Sequence, residues 1–117
     1  MQSYLVCSLL VLIAVEHFWF MVLEMFLWEK PIGRKIFGTS PEIAKLSAKL
    51  AMNQGLYNGF LASGLVWSLM SKNSEAAIFF CTCVFVAGVF GALSVNKRIF
   101  FVQGVPALLA LIQLWLF

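Results

Sequence analysis

The sequence predicts an all-α membrane protein: one domain, residues 1–117, folded as a bundle of four transmembrane helices with both termini outside the cytoplasm. Three observations predict this fold: an apolar composition, four long apolar segments and a one-sided distribution of basic residues. Hydrophobic residues make up 62% of the chain and charged residues 11%, against about 25% charged residues in ordinary soluble domains. At 117 residues, the chain has no room for a separate catalytic or nucleic-acid-binding module.

Four segments are long enough to cross a bilayer, which takes about 20 apolar residues in a helix. They run from Gln2 to Trp28, Ala48 to Met70, Ala76 to Val95 and Ile99 to Phe117. The first segment lacks a basic start and a small-residue cleavage site, and it carries Glu16, His17 and Glu24 inside it. We therefore expect it to stay as the first helix rather than to be removed as a signal peptide.

The connection between the first two segments contains a proline and two glycines, which predict a loop from Glu29 to Ser40. At its end, the run Ser40-Pro41-Glu42 supplies an N-cap residue, a proline at the first helical position and an acid in the first turn. The second helix is therefore predicted to begin at Pro41, before its membrane-spanning part.

Basic residues predict the orientation of the bundle. Seven of the eight Lys and Arg residues lie in or beside the connections after the first and third segments: Lys30, Arg34, Lys35, Lys45, Lys49, Lys97 and Arg98. The opposite side has only Lys72. Because cytoplasmic loops carry the excess of basic residues, both basic loops are predicted to be cytoplasmic. The net charge of +3 then reflects topology, and the predicted partner is the lipid bilayer rather than a nucleic acid.

Small residues recur every four positions on the second helix, at Ala51, Gly55, Gly59 and Ser63, and on the third at Gly88 and Ala92. This spacing lets helices approach closely in lipid. We favour packing within the bundle, with a homo-oligomer through these faces as the alternative. Leucine at Gly55 or Gly59 is expected to disrupt the fold more than leucine at Gly104.

Polar residues cluster on the cytoplasmic half of the predicted bundle. Asn53, Gln54, Tyr57 and Asn58 fall within two turns of the second helix, and we expect them to share one broad face. Glu24 and Asn53 are predicted to lie at similar depth, with Gln103 of the last helix beside them. His17 precedes Glu24 by one heptad, about 10 Å along the axis and about 20° around it, so both side chains should point to one side.

This column of polar groups has a structural and a functional interpretation. Interhelical hydrogen bonds in membranes contribute about 0.6 kcal/mol each on average. Burying an ionisable group in the membrane costs more free energy than one such hydrogen bond contributes, which favours the functional interpretation. We predict His17 and Glu24 as the groups that give or accept protons, and Asn53, Gln54, Tyr57, Asn58 and Gln103 as ligand-binding residues. Glu16 lies about 100° from His17 around the helix and is expected to matter less.

The function predicted from these residues is binding of a small lipophilic molecule, or a reaction on it, within the membrane. One alternative is a proton-coupled exporter of the small multidrug type, and another is a structural membrane subunit; the sequence leaves open whether the protein is an enzyme. No metal site or cofactor is predicted. The chain has one histidine and no aspartate, and Cys81 and Cys83 lie about 200° apart on a helix.

Three stretches of the sequence carry a resemblance to a known family: HFWFMVLEMFLW at 17–28, PIGRKIFGTSPE at 31–42 and AMNQGLYNGFLASG at 51–64. They resemble the small bacterial membrane proteins grouped as domain of unknown function 1304. The resemblance covers essentially the whole chain and implies a four-helix integral protein of the bacterial cytoplasmic membrane. It assigns no catalytic residues, so the predicted site depends on the polar column alone.

Overall fold

The computed structural model describes residues 3–116, and these residues contain helices and no strand. Five α-helices and one π-helical turn follow one another along the chain: α1 (Tyr4–Phe26), α2 (Pro31–Phe37), α3 (Pro41–Met70), α4 (Ser74–Ser94), the π-helical turn (Phe100–Gly104) and α5 (Val105–Leu116). The all-α prediction is confirmed. The predicted helix ends at Gln2 and Phe117 lie outside the described residues.

Two of the helices, α1 and α4, are long and apolar enough to cross a membrane by length and composition. Helix α3 is longer, with 30 residues, but its polar residues between Asn53 and Asn58 lower its hydropathy. The apolar stretch Phe100–Leu116 combines the π-helical turn with α5 and is shorter than α1, α3 and α4. Each of the four apolar segments predicted from the sequence is helical in the structure. Two of them are long and apolar enough to cross a membrane.

Helix α3 begins at Pro41, as the sequence predicts. The backbone N–H of Ile43 donates to Oγ of Ser40 at 3.2 Å, so Ser40 satisfies one of the N–H groups that have no partner within the first turn. Glu42 lies in that first turn, where the partial positive charge of the helix end favours an acid. The capping residues therefore define this boundary.

The predicted loop from Glu29 to Ser40 is wrong, because it contains the short helix α2. Pro31 is the first residue of this helix, where a proline needs no partner for its missing N–H. Gly38 ends the helix in the left-handed conformation with φ 67°, which glycine adopts without steric cost. The same residues that break α1 thus start and end a second helix.

The chain divides into two compact units. The first contains the described parts of Met1–Val15 and Leu61–Phe117, and the second is Glu16–Phe60. Buried apolar residues from four helices form the core of the first unit: Val6, Leu10, Ile13, Ala14, Leu65, Ala77, Cys81, Val84, Ala107 and Ala110. Alanines contribute much of this core, which lets the helices of the unit pack closely.

Two glycines meet at a close backbone contact in the first unit. A Cβ added at Gly88 of α4 would lie 2.8 Å from the backbone N and 2.9 Å from the Cα of Gly104, so the two backbones meet without a side chain between them. Gly104 is itself buried. Gly104 is therefore also a tightly packed position. The expectation that leucine is better tolerated at Gly104 than at Gly55 or Gly59 has no support from this packing.

The second unit contains the end of α1, helix α2 and the first two thirds of α3. A Cβ added at Gly55 would lie 2.7 Å from Cγ of Met25 and 3.0 Å from Cβ of Glu24, and one added at Gly59 would lie 2.7 Å from Sδ of Met21. The small residues of α3 thus bring it close to α1 at these two positions, as the packing interpretation predicts.

Candidate functional site

The candidate site lies in the second unit and is built around Glu24 on α1. Glu24 is 2% exposed. Its Oε1 accepts a hydrogen bond of 2.5 Å from Nδ2 of Asn58 on α3, and the Gln54 side chain interacts with the same carboxyl group. Because Gly55 has no side chain, α3 packs closely against α1 beside Glu24. This close packing brings the Asn58 amide within hydrogen-bond distance of the carboxyl group.

The other oxygen of this carboxyl group has no hydrogen-bond partner among the described residues. Oε2 of Glu24 is buried and makes no hydrogen bond to any residue that the structure describes. A carboxylate can accept several hydrogen bonds, and a buried polar atom without one is costly. An incompletely paired acid in the interior therefore calls for an explanation.

Glu24 also belongs to the lining of a pocket of about 320 Å³. Its lining comes entirely from the second unit: Glu24, Met25, Phe26, Trp28, Glu29, Lys30, Ala48 and Met52. The volume is at the lower end of the range for small-molecule sites, about 300 to 1,000 Å³. Glu24 is the only buried acid in this lining, since Glu29 is exposed.

Trp28 holds the end of α1 against α3 beside this pocket. Its indole Nε1–H donates to Oγ of Ser47 at 3.1 Å, and its ring centroid lies 4.8 Å from that of Phe37 on α2. Contacts with both α2 and α3 therefore orient the Trp28 indole that lines the pocket. Tryptophan with a paired N–H and an apolar ring is typical of membrane interfaces.

His17 is buried, like Glu24, as their heptad spacing predicts. Its ring meets Phe20 edge to face, with centroids 5.4 Å apart. Glu16 is half-buried, and its Oε2 has no hydrogen-bond partner among residues 3–116. His17 does not line the pocket at Glu24, so the two predicted proton-transfer residues are both buried but do not share one cavity lining.

The polar residues of α3 do not form the single face expected from the sequence. Asn58 reaches Glu24, whereas Asn53 is exposed and donates to the backbone carbonyl of Lys49 in its own helix at 3.3 Å. Tyr57 is 64% exposed and its ring contacts Phe60. Five residues separate Asn53 from Asn58, which places them about 140° apart around the helix.

Gln103 lies in the π-helical turn of the first unit and is half-buried. Its assignment to ligand binding stays a prediction. Met25, Ala48 and Met52 line the pocket but were not predicted as site residues from the sequence. Ala48 and Met52 are four residues apart and so share a helix face, which is the signal that could have placed them beside Glu24.

The described residues contain no group of three or more His, Cys, Asp or Glu side chains that could hold a metal ion. Cys81 is buried in the apolar core of the first unit, and Cys83 is half-buried. The side chains around Glu24 include the amides of Asn58 and Gln54 and the indole of Trp28.

Comparison with known proteins places this chain in a family. The model of the family described as "Protein of unknown function (DUF1304)" matches residues 11–115, and the chain belongs to that family. It is similar to a protein from Lactococcus lactis subsp. lactis (strain IL1403) described as "Uncharacterized protein YpaA", with 31% identity over 116 residues. That match covers 96% of this chain and 98% of the relative. No solved structure matches the chain.

Proposed function

We propose that the chain is a multi-pass protein of the bacterial cytoplasmic membrane that binds a small lipophilic molecule, whose polar end lies at Glu24. The observation that supports this proposal is that Glu24 is buried, has one carboxyl oxygen without a hydrogen bond among the described residues, and lines a pocket that combines apolar, aromatic and charged side chains. Ionisable groups at membrane depth are costly and are usually retained for a function. A ligand that pairs with Oε2 would account for that cost.

Exposed apolar side chains support the membrane part of the proposal. Large hydrophobic residues are exposed along the helices of both units, including Phe79 at 63%, Phe90 at 71% and Trp115 at 73%. Soluble monomers rarely expose contiguous apolar patches larger than a few hundred Å², whereas lipid tails are a suitable solvent for such surfaces. Together with the two helices of sufficient length, this supports a membrane environment, in which we propose four spans.

The orientation in this proposal comes from the basic residues. Arg34, Lys35, Lys97 and Arg98 all belong to the two connections predicted to be cytoplasmic, and Lys72 lies alone in the connection between α3 and α4. The proposed arrangement therefore has both termini outside, with the Glu24 pocket near the cytoplasmic interface, close to Trp28 and Lys30.

Binding is proposed to depend on Glu24 directly and on Asn58 through its hydrogen bond to Glu24. Gln54 lies beside the same carboxyl group. Asn53 and Tyr57 are exposed on α3, and the hydrogen bond of Asn53 to Lys49 and the ring contact of Tyr57 with Phe60 both lie within that helix. They are therefore useful comparison positions for the ligand-binding role that the sequence suggests for them.

The experiment is to purify the protein in mild detergent, extract it with organic solvent and identify the retained compounds by mass spectrometry. Wild type should retain a lipophilic compound, and Glu24→Gln should lose most of it while remaining folded. Glu42→Gln is the matched control, because Glu42 is exposed and remote from the pocket lining. Equal retention by wild type and Glu24→Gln would contradict the proposal and favour a structural subunit.

A further inference from the structure

The chemistry of the pocket at Glu24 limits the class of molecule that it can hold. Three ionisable residues line it: Glu24, which is buried, and Glu29 and Lys30, which are exposed. With both acids ionised, the lining carries one net negative charge. The exposed pair is screened by solvent, so the buried carboxylate dominates the field inside the pocket.

Among the described residues, only one of the two carboxylate oxygens of Glu24 lacks a hydrogen bond, and the side chains that interact with this carboxyl group, Asn58 and Gln54, are neutral amides. A neutral amide does not cancel a buried negative charge, and such a charge is strongly unfavourable without a counter-charge. No Lys, Arg or His side chain forms a salt bridge with Glu24 in the part of the chain that the structure describes. A cation that donates a hydrogen bond to Oε2 would offset this cost.

The remaining walls suit a hydrocarbon group attached to that cation. Met25, Phe26, Ala48 and Met52 supply thioether and apolar surface, and Trp28 supplies an aromatic ring. Aromatic faces attract cations, and methionine adapts to ligands of irregular shape. An anionic headgroup would instead meet the Glu24 carboxylate with like charge.

Resting on the proposed function, we infer that the ligand of this pocket is a lipophilic amine whose ammonium group donates a hydrogen bond to Oε2 of Glu24. The ammonium replaces the absent counter-charge, and its alkyl or aryl part lies against Met25, Met52 and Trp28. Asn58 orients the carboxylate through Oε1 and leaves Oε2 for the ligand. No covalent step is required.

The test compares three probes with the same alkyl chain and different headgroups: dodecylamine, dodecanol and dodecanoate. Binding to delipidated protein in phosphatidylcholine nanodiscs is followed by native mass spectrometry, with empty nanodiscs to correct for partitioning. Wild type should bind dodecylamine about tenfold or more tighter than dodecanol, as charge-assisted hydrogen bonds are stronger than neutral ones. Dodecanoate should bind most weakly.

Glu24→Gln should lose the preference for the amine, while Glu42→Gln should keep it. If dodecanol binds as tightly as dodecylamine to wild type, the amine inference fails and the proposed binding function stands. If none of the three probes binds, both fail. The order of affinities in wild type decides between these outcomes even if Glu24→Gln does not fold.

Discussion

Asn58 and Glu24 form the interhelical hydrogen bond on which the candidate site depends. The amide donates to Oε1 at 2.5 Å, between side chains 34 positions apart in the sequence. Because Glu24 is 2% exposed, this donor has little competition from bulk solvent. Asn53, on the same helix, donates to Lys49 and is exposed, so solvent or lipid headgroups surround it instead.

This difference predicts that Asn58→Ala destabilises the protein and Asn53→Ala does not. Removing the amide leaves a second buried carboxylate oxygen unpaired, which costs about 1 to 3 kcal/mol. Exposed substitutions usually stay within about 0.5 kcal/mol. Thermal unfolding in detergent measures both variants, and equal losses of stability would show that the Asn58 bond contributes no more than the Asn53 bond.

The burial of His17 and Glu24 was predictable from sequence, because a heptad returns a helix to nearly the same face. The identity of the Glu24 partner was predictable only in part. Asn53, Gln54, Tyr57 and Asn58 were all expected on one face, but only the last forms the 2.5 Å hydrogen bond to Glu24. Spacing gives the angle between two residues on one helix, and it does not say which of them faces the neighbouring helix.

At the scale of the helices, the approach of α1 and α3 in the second unit depends on glycine. A Cβ added at Gly55 would meet Met25 Cγ, Glu24 Cβ and the backbone oxygen of Met21 at 2.7 to 3.2 Å, whereas one added at Gly59 would meet only the flexible Met21 side chain. A backbone atom cannot move aside without shifting its helix, but a methionine side chain can rotate. The two glycines should therefore differ in tolerance.

We predict that Gly55→Leu lowers stability more than Gly59→Leu, and that Ser63→Leu has little effect. Overpacking costs about 1 to 3 kcal/mol in well-packed cores, and Ser63 is exposed on the same helix. The melting temperatures of the three variants in detergent give the order. A Gly55→Leu protein as stable as Ser63→Leu would show that α1 and α3 do not need this close contact.

Helix boundaries illustrate what local sequence can and cannot predict. Ser40, Pro41 and Glu42 each favour a helix start, and α3 begins there. Pro31 also stands at the first position of a helix, but the nearby glycines led to the prediction of a loop. One of them, Gly33, lies so close to the backbone of Leu27 and Trp28 that a side chain would not fit. This packing of α2 could not be predicted from the local sequence. Gly104 of the π-helical turn packs against Gly88 of α4, a contact between elements that local sequence does not predict.

At the scale of the whole molecule, the main feature is the large amount of exposed apolar surface. Both units present large hydrophobic side chains outward, while basic residues are confined to the connections and to the start of α3. A bilayer accounts for both observations, since lipid covers apolar helix faces and basic residues mark the cytoplasmic side.

The proposed topology predicts that a cysteine at Lys72 reacts with a membrane-impermeant thiol reagent in intact cells. A cysteine at Arg98 should react only after the cells are permeabilised, because that connection is placed in the cytoplasm. Replacing the native cysteines with alanine or serine removes background labelling. Labelling of Arg98→Cys in intact cells, with protection of Lys72→Cys, would reverse the orientation.

The most direct test of the account is carboxyl ¹³C nuclear magnetic resonance of the purified protein in nanodiscs. The chain has five acidic residues, all glutamates, so five side-chain resonances are expected, and the one missing from Glu24→Gln is that of Glu24. Removing the co-purified compound by delipidation should shift the Glu24 resonance more than the other four, because Oε2 loses its partner. If the Glu24 resonance stays in place while the protein remains folded, Glu24 does not bind the compound and the proposed site is wrong.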